Sequence, residues 1–329
     1  MVATMLLAAC TDEPTPQYYE DGEELMVANV TRGVAGMVEV NEDYSPIHLF
    51  IADVENGTYR AGTFDYRTAT NKWQSNMTVK SGTQYYIYGF MPATITETSS
   101  IAVRTSMDYS AGCVMTLQNL PTVSDKDVCA VIAVQHADTE DTPENLYVGQ
   151  FGYLAGEPGH NYLYLLMDHL YAAMNIKFRI NSTYDELRDI KVKKVELKCS
   201  NYTKHNVGIT ITTGSSTPLT ISSLAGTAGE VKQTLFNGDR LLTSNYNDLE
   251  ITGYALSPTA NYSIVSTYDV YDSKGNLIRE NETAENQISF GTLTRGNKYP
   301  VNITVNPTYL YMLSEPDLDS PTFEITTNG

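Results

Sequence analysis

The sequence predicts an all-β protein built from antiparallel sandwiches, and three observations lead there. Short alternating apolar runs recur along the chain between Gly, Pro, Asn and Asp turn signals. Tyr is abundant, with 24 against 8 Phe and 1 Trp. It favours strands and carries a polar tip suited to a sheet with one wet face. Helical periodicity is scarce, and many short strands with little helix pack as sheet on sheet.

The first strand is expected at Leu25 to Val30, where Leu25 and Val27 alternate and Arg32-Gly33 follows at once. Gln84 to Phe90 is a second strand, introduced by Ser81-Gly82. Leu163 to Ala173 is apolar without a clear period and reads as either a short helix or a strand. Met174, Ile176, Phe178 and Ile180 then alternate with Lys177 and Arg179, the signature of a half-buried strand. Tyr184 to Arg188 suggests one helical turn. Ile190 and Val192 alternate, after which Lys193-Lys194 shifts the phase to Val195 and Leu197. Such a slip indicates a β-bulge or a change of sheet. Val265 to Tyr271 and Leu277 to Glu280 flank Asp272-Ser273-Lys274-Gly275-Asn276 as a hairpin. Tyr299 to Val305 is a late strand with Val301, Ile303 and Val305 on one face.

The length of 329 residues suggests two domains. The Gly/Pro/Asn-rich stretch Gly156 to Asn161 is the expected boundary, giving an N-terminal sandwich over 33–160 and a C-terminal one over 161–329. Residues 11–24 hold Asp12, Glu13, Glu20, Asp21, Glu23 and Glu24 with two prolines, a disordered, tether-like composition. The formal net charge of −18 argues against nucleic acid as a partner, since phosphates demand a basic face. It suits an exported protein kept soluble by self-repulsion.

Cys10 is the most informative single residue. It closes Met5-Leu6-Leu7-Ala8-Ala9, and Thr11-Asp12-Glu13-Pro14 follows. An apolar run, two small residues, a cysteine and a polar tail look like a bacterial lipoprotein signal and its lipobox, over residues 1–10. Small residues fit a peptidase, and only a thiol takes a thioether-linked diacylglycerol. No Lys or Arg precedes Cys10, which departs from the usual positive n-region. The apolar run is too short to span a bilayer.

Catalytic signatures are missing. The sequence contains no GxSxG, HExxH, GxxxxGK[ST] or GxGxxG, and the five histidines, His48, His136, His160, His169 and His205, have no partner at metal-ligand spacing in the chain. His169, in the apolar run Leu166 to Leu170, reads as a packing histidine. Glu315, Asp317 and Asp319 alternate, but the glycine and later Glu of a calcium loop are missing, so they read as solvated loop acids. Asp138, Glu140 and Asp141 read the same way. Cys113, Cys129 and Cys199 form no CxxC; they are expected as buried free thiols, the alternative being a Cys113–Cys129 pair. No cofactor, no metal and no enzyme activity are expected.

Three segments together resemble the fimbrillin superfamily, the pilins of Bacteroidales. They are the lipobox at Cys10 with its acidic tether and Arg32, the block Met167 to Ile180, and Leu293 to Tyr299 leading through Val301 to Val305 into the tail from Pro307 to Asp319. The resemblance implies two transthyretin-like antiparallel β-sandwich domains in tandem. It also implies export as an outer-membrane lipoprotein precursor, then cleavage after an arginine by a trypsin-like surface protease. Removal of the first strand leaves a groove that a neighbouring subunit's strand fills, building a cell-surface fimbria used in adhesion to host or bacterial receptors. The physics is strand addition: main-chain hydrogen bonds give affinity and alternate side chains give register.

Carried onto this chain, Arg32 and Gly33 flank the cleavage site, and residues 11–32 are tether and removable strand. Leu25, Val27 and Val30 are the plugs. The tail 306–329 is the candidate donor, with Tyr309, Tyr311 and Leu313 in one piece and Phe323 and Ile325 in the other. Both pieces read equally as completing this subunit's own second sandwich. The cysteine-rich start typical of anchor subunits is not visible after Cys10, which points to a stalk or short accessory subunit. The competing readings are a non-polymerising tip or anchor subunit, and a surface lipoprotein that binds glycans on tyrosine platforms such as Tyr85 to Tyr88.

Overall fold

A computed structural model describes residues 22–32, 45–54, 57–104, 108–137, 147–256, 260–290, 293–309 and 316–327. The lipobox and the sequence after Arg32 up to residue 44 lie outside them, as do Asp138, Glu140, Asp141 and Glu315.

The strands are β1 Glu23–Arg32, β2 Ile47–Asp53, β3 Thr58–Arg67, β4 Lys72–Val79, β5 Gln84–Met91, β6 Thr98–Val103, β7 Gly112–Pro121, β8 Val123–Ser124, β9 Cys129–Ala137, β10 Gly152–Leu154 and β11 Tyr162–His169. They continue as β12 Ala172–Ile180, β13 Arg188–Cys199, β14 Tyr202–Thr212, β15 Leu219–Ala228, β16 Val231–Leu241, β17 Leu249–Ala255, β18 Tyr262–Asp272, β19 Leu277–Gln287, β20 Lys298–Tyr309 and β21 Pro316–Thr326. One α-helical turn, α1 Ser182–Asp185, and two 3-10 turns, Ala93–Ile95 and Tyr109–Ala111, interrupt them, and the Asn181 side chain caps α1 by accepting from Thr183 N and Tyr184 N. Among the described residues no helix is long and apolar enough to cross a membrane.

The all-β expectation holds, and the strands fall into four sheets. The largest runs β10-β5-β2-β3-β4-β1-β11-β9, and a further pairing of β5 with β9 joins its ends through Phe90↔Ala130 and Met91↔Cys129. Seven strands thus form a closed hydrogen-bonded ring, with β10 attached to β5. The sheet β15-β14-β7-β6 contributes to the same core, which gathers Leu25, Val27, Phe50, Phe64, Met115, Ile209 and Ile211. The sheets β21-β20-β12-β17-β8 and β16-β13-β18-β19 enclose a second core around Met174, Phe178, Val195, Ile264 and Val301.

The local patterns explain the elements. Along β12, Met174, Ile176, Phe178 and Ile180 are fully buried while the residues between them are half-exposed. The phase slip at Lys193-Lys194 is a register shift between Val192 and Lys194 against both neighbours of β13. It turns both apolar pairs inward. At the β18–β19 hairpin, Asp272 accepts backbone hydrogen bonds from Lys274 and Asn276, and Gly275 supplies the positive φ the turn needs. The ambiguous run at Leu163 is β11. Its residues are buried on both faces, so alternation disappears.

The two cores do not divide the chain at Gly156 to Asn161. That stretch joins β10 to β11 within one sheet, and the second core takes over at Ala172. The hairpin β14–β15 then returns to pair with β7, while β8 pairs with β17 of the second unit. A Gly/Pro cluster marks a turn; it carries no information on which sheet the next strand joins.

Two outcomes follow for stability. Phe178→Ala should lower the unfolding free energy by about 3–5 kcal/mol, the usual cost of emptying a buried aromatic site. A denaturant midpoint equal to wild type would contradict its place at the centre of the second core. His48, on β2 between the Phe50 and Phe90 rings, has its pKa pushed down by burial to about 4 from 6.5. The unfolded chain therefore binds more protons between those values, so this contribution is whole above about pH 6.5 and is lost as pH falls toward 4. His48→Gln should flatten that acid-side loss in unfolding curves taken from pH 7 to 4; an unchanged slope would refute it.

Candidate functional site

Among the described residues, strand β1 is the only link between β4 and β11 in the ring. It runs antiparallel to β4, with Glu23↔Val79, Glu24↔Thr78, Met26↔Gln74 and Val27↔Trp73 as partners. It runs parallel to β11, from Met26↔Tyr162 to Arg32↔Met167. The ladder is irregular on both sides, between Glu24 and Met26 toward β4 and between Val27 and Asn29 toward β11. Taking β1 away exposes two facing strand edges, a slot wide enough for one strand.

The floor of that slot is apolar. Leu25 and Val27 are fully buried in the first core, and Val30 packs against it while half-buried. Complete burial of such side chains is worth about 1.5–3 kcal/mol each. The two plugs together therefore stabilise the ring by about 3–6 kcal/mol. An unfilled slot is correspondingly unfavourable, and any replacement strand must bring apolar side chains at the same i, i+2 spacing.

Neighbours hold the slot in shape. Trp73, opposite Val27, donates Nε1–H to Ser45 O at 3.0 Å and meets the Tyr66 ring edge-on at 4.9 Å. Asn161 is fully buried at the entry. Its Oδ1 accepts from Tyr153 OH at 2.7 Å and from Gly156 N at 2.9 Å, while its own carbonyl accepts from Met26 N at 3.1 Å. The Gly156 to Asn161 loop therefore clamps the start of β1.

Arg32 is the last residue of β1, while Gly33 and Cys10 lie outside the described residues. At the other end of the chain, β21 pairs antiparallel with this subunit's own β20, from Asn302↔Thr326 to Tyr309↔Pro316. Phe323 is buried, 4.8 Å from the Tyr268 ring, and its carbonyl accepts from Asn286 Nδ2; Ile325 packs on the second core. Tyr309 ends β20, and Tyr311 and Leu313 lie outside the described residues.

The remaining sequence candidates are structural. Tyr85 and Tyr88 are buried; the Tyr85 hydroxyl accepts from Lys80 N and the Tyr88 hydroxyl donates to Tyr109 O. They fill the core and offer no flat exposed platform. Asp319 pairs with Arg188, and Asp317 accepts from the Asp319 backbone. Cys113, Cys129 and Cys199 are buried thiols outside any disulfide, and burial raises the Cys113 pKa. His169 was expected only to pack, yet it lies beside Asp127 and Cys129 in a buried cluster. The sequence signal was slight: an Asp-x-Cys step at a strand start and a histidine far downstream.

No family model and no curated protein matches the chain. Solved structures do. A fimbrial protein from Bacteroides vulgatus is 11% identical with a TM-score of 0.47, over 92% of this chain and 99% of that one. A Bacteroides uniformis protein, provisionally described as a cell adhesion protein, is 12% identical with a TM-score of 0.41, over 95% and 99%. The fimbrial anchor protein Mfa2 from Porphyromonas gingivalis is 11% identical with a TM-score of 0.30, over 94% and 98%. The functional reading rests on the strand geometry above.

Leu25→Ala should destabilise the protein by about 2–5 kcal/mol, the range for a buried leucine. The loss should appear as reduced amide protection along β4 and β11. Destabilisation with those edges still protected would contradict the closing role of β1.

Proposed function

We propose that this chain is a structural subunit of a surface fimbria. It is exported as a lipoprotein lipidated at Cys10, trimmed between Arg32 and Gly33 by an Arg-specific protease, and polymerised by donor-strand exchange for adhesion. The observation that carries this reading is β1 itself. It is a single strand that alone closes a ring, buries two plugs, and ends at the first basic residue of the chain. A cut after Arg32 severs the covalent link that retains it, and the strand is then held by pairing and burial alone.

The opposite end offers a fitting donor. Strand β21 lies at a sheet edge with one hydrogen-bonded neighbour, and it carries Phe323 and Ile325 at the same spacing as Leu25 and Val27. Edge strands pair readily with other chains, and head-to-tail pairing that does not close gives an open filament. This geometry supports a structural role, with other subunits as partners.

The self-pairing of β21 favours one alternative of the same class. A subunit whose tail stays seated against Tyr268 and Asn286 accepts a strand but gives none, as a tip subunit would.

Arg-specific proteolysis of the precursor, followed by mass spectrometry and electron microscopy, tests the reading. One early cut leaving Gly33 at the new terminus, and filaments afterward, is the expected result, and Arg32→Ala should stay monomeric. A clean cut that leaves monomers would move the assignment to a tip or anchor subunit. Filaments formed by Arg32→Ala would sink the cleavage site.

A further inference from the structure

Where β9 begins and β11 ends, three side chains meet away from the β1 slot. His169 Nδ1 lies 2.6 Å from Asp127 Oδ2, Cys129 Sγ lies 3.2 Å from the same oxygen, and Cys129 Sγ lies 3.7 Å from His169 Nδ1. All three are buried: Cys129 is 0% exposed, His169 5% and Asp127 7%. We propose that Asp127, Cys129 and His169 bind a thiophilic divalent cation of the Zn²⁺ class.

Donor chemistry selects that class. A thiolate and an imidazole favour zinc-like ions, whereas calcium and magnesium require oxygen donors. Charge points the same way. A thiolate and a carboxylate together carry two negative charges, which a divalent ion cancels, and a neutral assembly tolerates burial where separate charges do not.

Geometry is close to what such an ion needs. Tetrahedral ligands at about 2.3 Å for sulfur and 2.0–2.1 Å for nitrogen or oxygen stand roughly 3.3–3.6 Å apart. The sulfur-to-nitrogen separation matches to within about 0.2 Å, and the sulfur-to-oxygen one needs to open by only about 0.3–0.4 Å. Only the Asp127–His169 pair is too close, because a hydrogen now lies between them. On binding, the proton between Nδ1 and Asp127 moves to Nε2, which leaves a neutral ring and a carboxylate, and the thiol releases its proton to solvent. The fourth position is left to water or to the second Asp127 oxygen.

The backbone fixes the cluster in place. Cys129 and His169 are direct partners across the β9–β11 ladder, and Leu170 N donates to Val128 O at 2.7 Å. Asp168 accepts from His169 N, and Arg295 from the second unit pairs with Asp168 and donates to His169 O at 3.0 Å. Such supporting contacts orient ligands before an ion arrives.

The test uses the full chain, stripped of metal with a chelator. Titration with Co²⁺ should saturate at one equivalent, giving tetrahedral visible bands and a thiolate charge-transfer band, and one equivalent of Zn²⁺ should abolish both. Cys129→Ser should remove the charge-transfer band, Asp127→Asn should weaken binding at least tenfold, and Cys199→Ser should change nothing. Independently of any variant, X-ray absorption of the Zn²⁺-loaded wild type should show one sulfur at about 2.3 Å and nitrogen or oxygen ligands at about 2.0–2.1 Å. Absence of saturable binding, an oxygen-only shell, or a charge-transfer band that survives in Cys129→Ser would overturn the proposal.

Discussion

The closure of the first ring by β1 is the constraint on which the rest of the structure depends. Among the described residues strands β4 and β11 meet only through it, and β9 meets β5 at the far side to finish the circuit. Closing a sheet on itself removes its open edges, so among the described residues the ring has no unpaired slot between β4 and β11 while β1 is in place. The same closure concentrates the vulnerability of the domain in one segment. That segment contributes a few kcal/mol through Leu25 and Val27, with an irregular ladder on either side. On the proposed reading, a strand held this way protects the precursor until another strand of matching pattern replaces it.

The two cores are interlocked. The β14–β15 hairpin leaves the second unit to complete the first, and β8 crosses in the other direction. Near the seam, Tyr171 donates to Pro121 O, Gly296 N donates to Tyr171 O, and Arg295 reaches Asp168 and the His169 carbonyl. Exchanged strands and these polar ties make the junction a stiff connection. The Asp127–Cys129–His169 cluster lies at the same seam.

Much of the fold was legible from the sequence because period-two alternation reports burial directly. Met174 to Ile180, the slip at Lys193-Lys194 and the Asp272 hairpin all appear as expected. The burial of Leu25 and Val27 was legible for the same reason. What alternation cannot report is pairing. The return of β14–β15 and the crossing of β8 depend on which sheet a strand joins, and no local pattern encodes that choice. The Gly156 to Asn161 stretch looked like a domain boundary because turns and linkers share a composition; Asn161 in fact organises the entry to the β1 slot. Tyr85 and Tyr88 looked like candidate ligand platforms, since a tyrosine-rich strand reads the same whether its rings face solvent or core. The Asp127, Cys129 and His169 side chains are brought together by strand register alone.

The account turns on whether β1 must leave its slot. Glu24 and Thr78 are opposed partners on the antiparallel β1–β4 pair, a separation suited to a disulfide. The decisive measurement is filament formation by Glu24→Cys/Thr78→Cys after Arg-specific cleavage, oxidised and then reduced. The account predicts a cleaved protein that retains its first strand and stays monomeric while oxidised, then assembles once the bond is reduced. Filaments of equal length and yield from the oxidised form would contradict it.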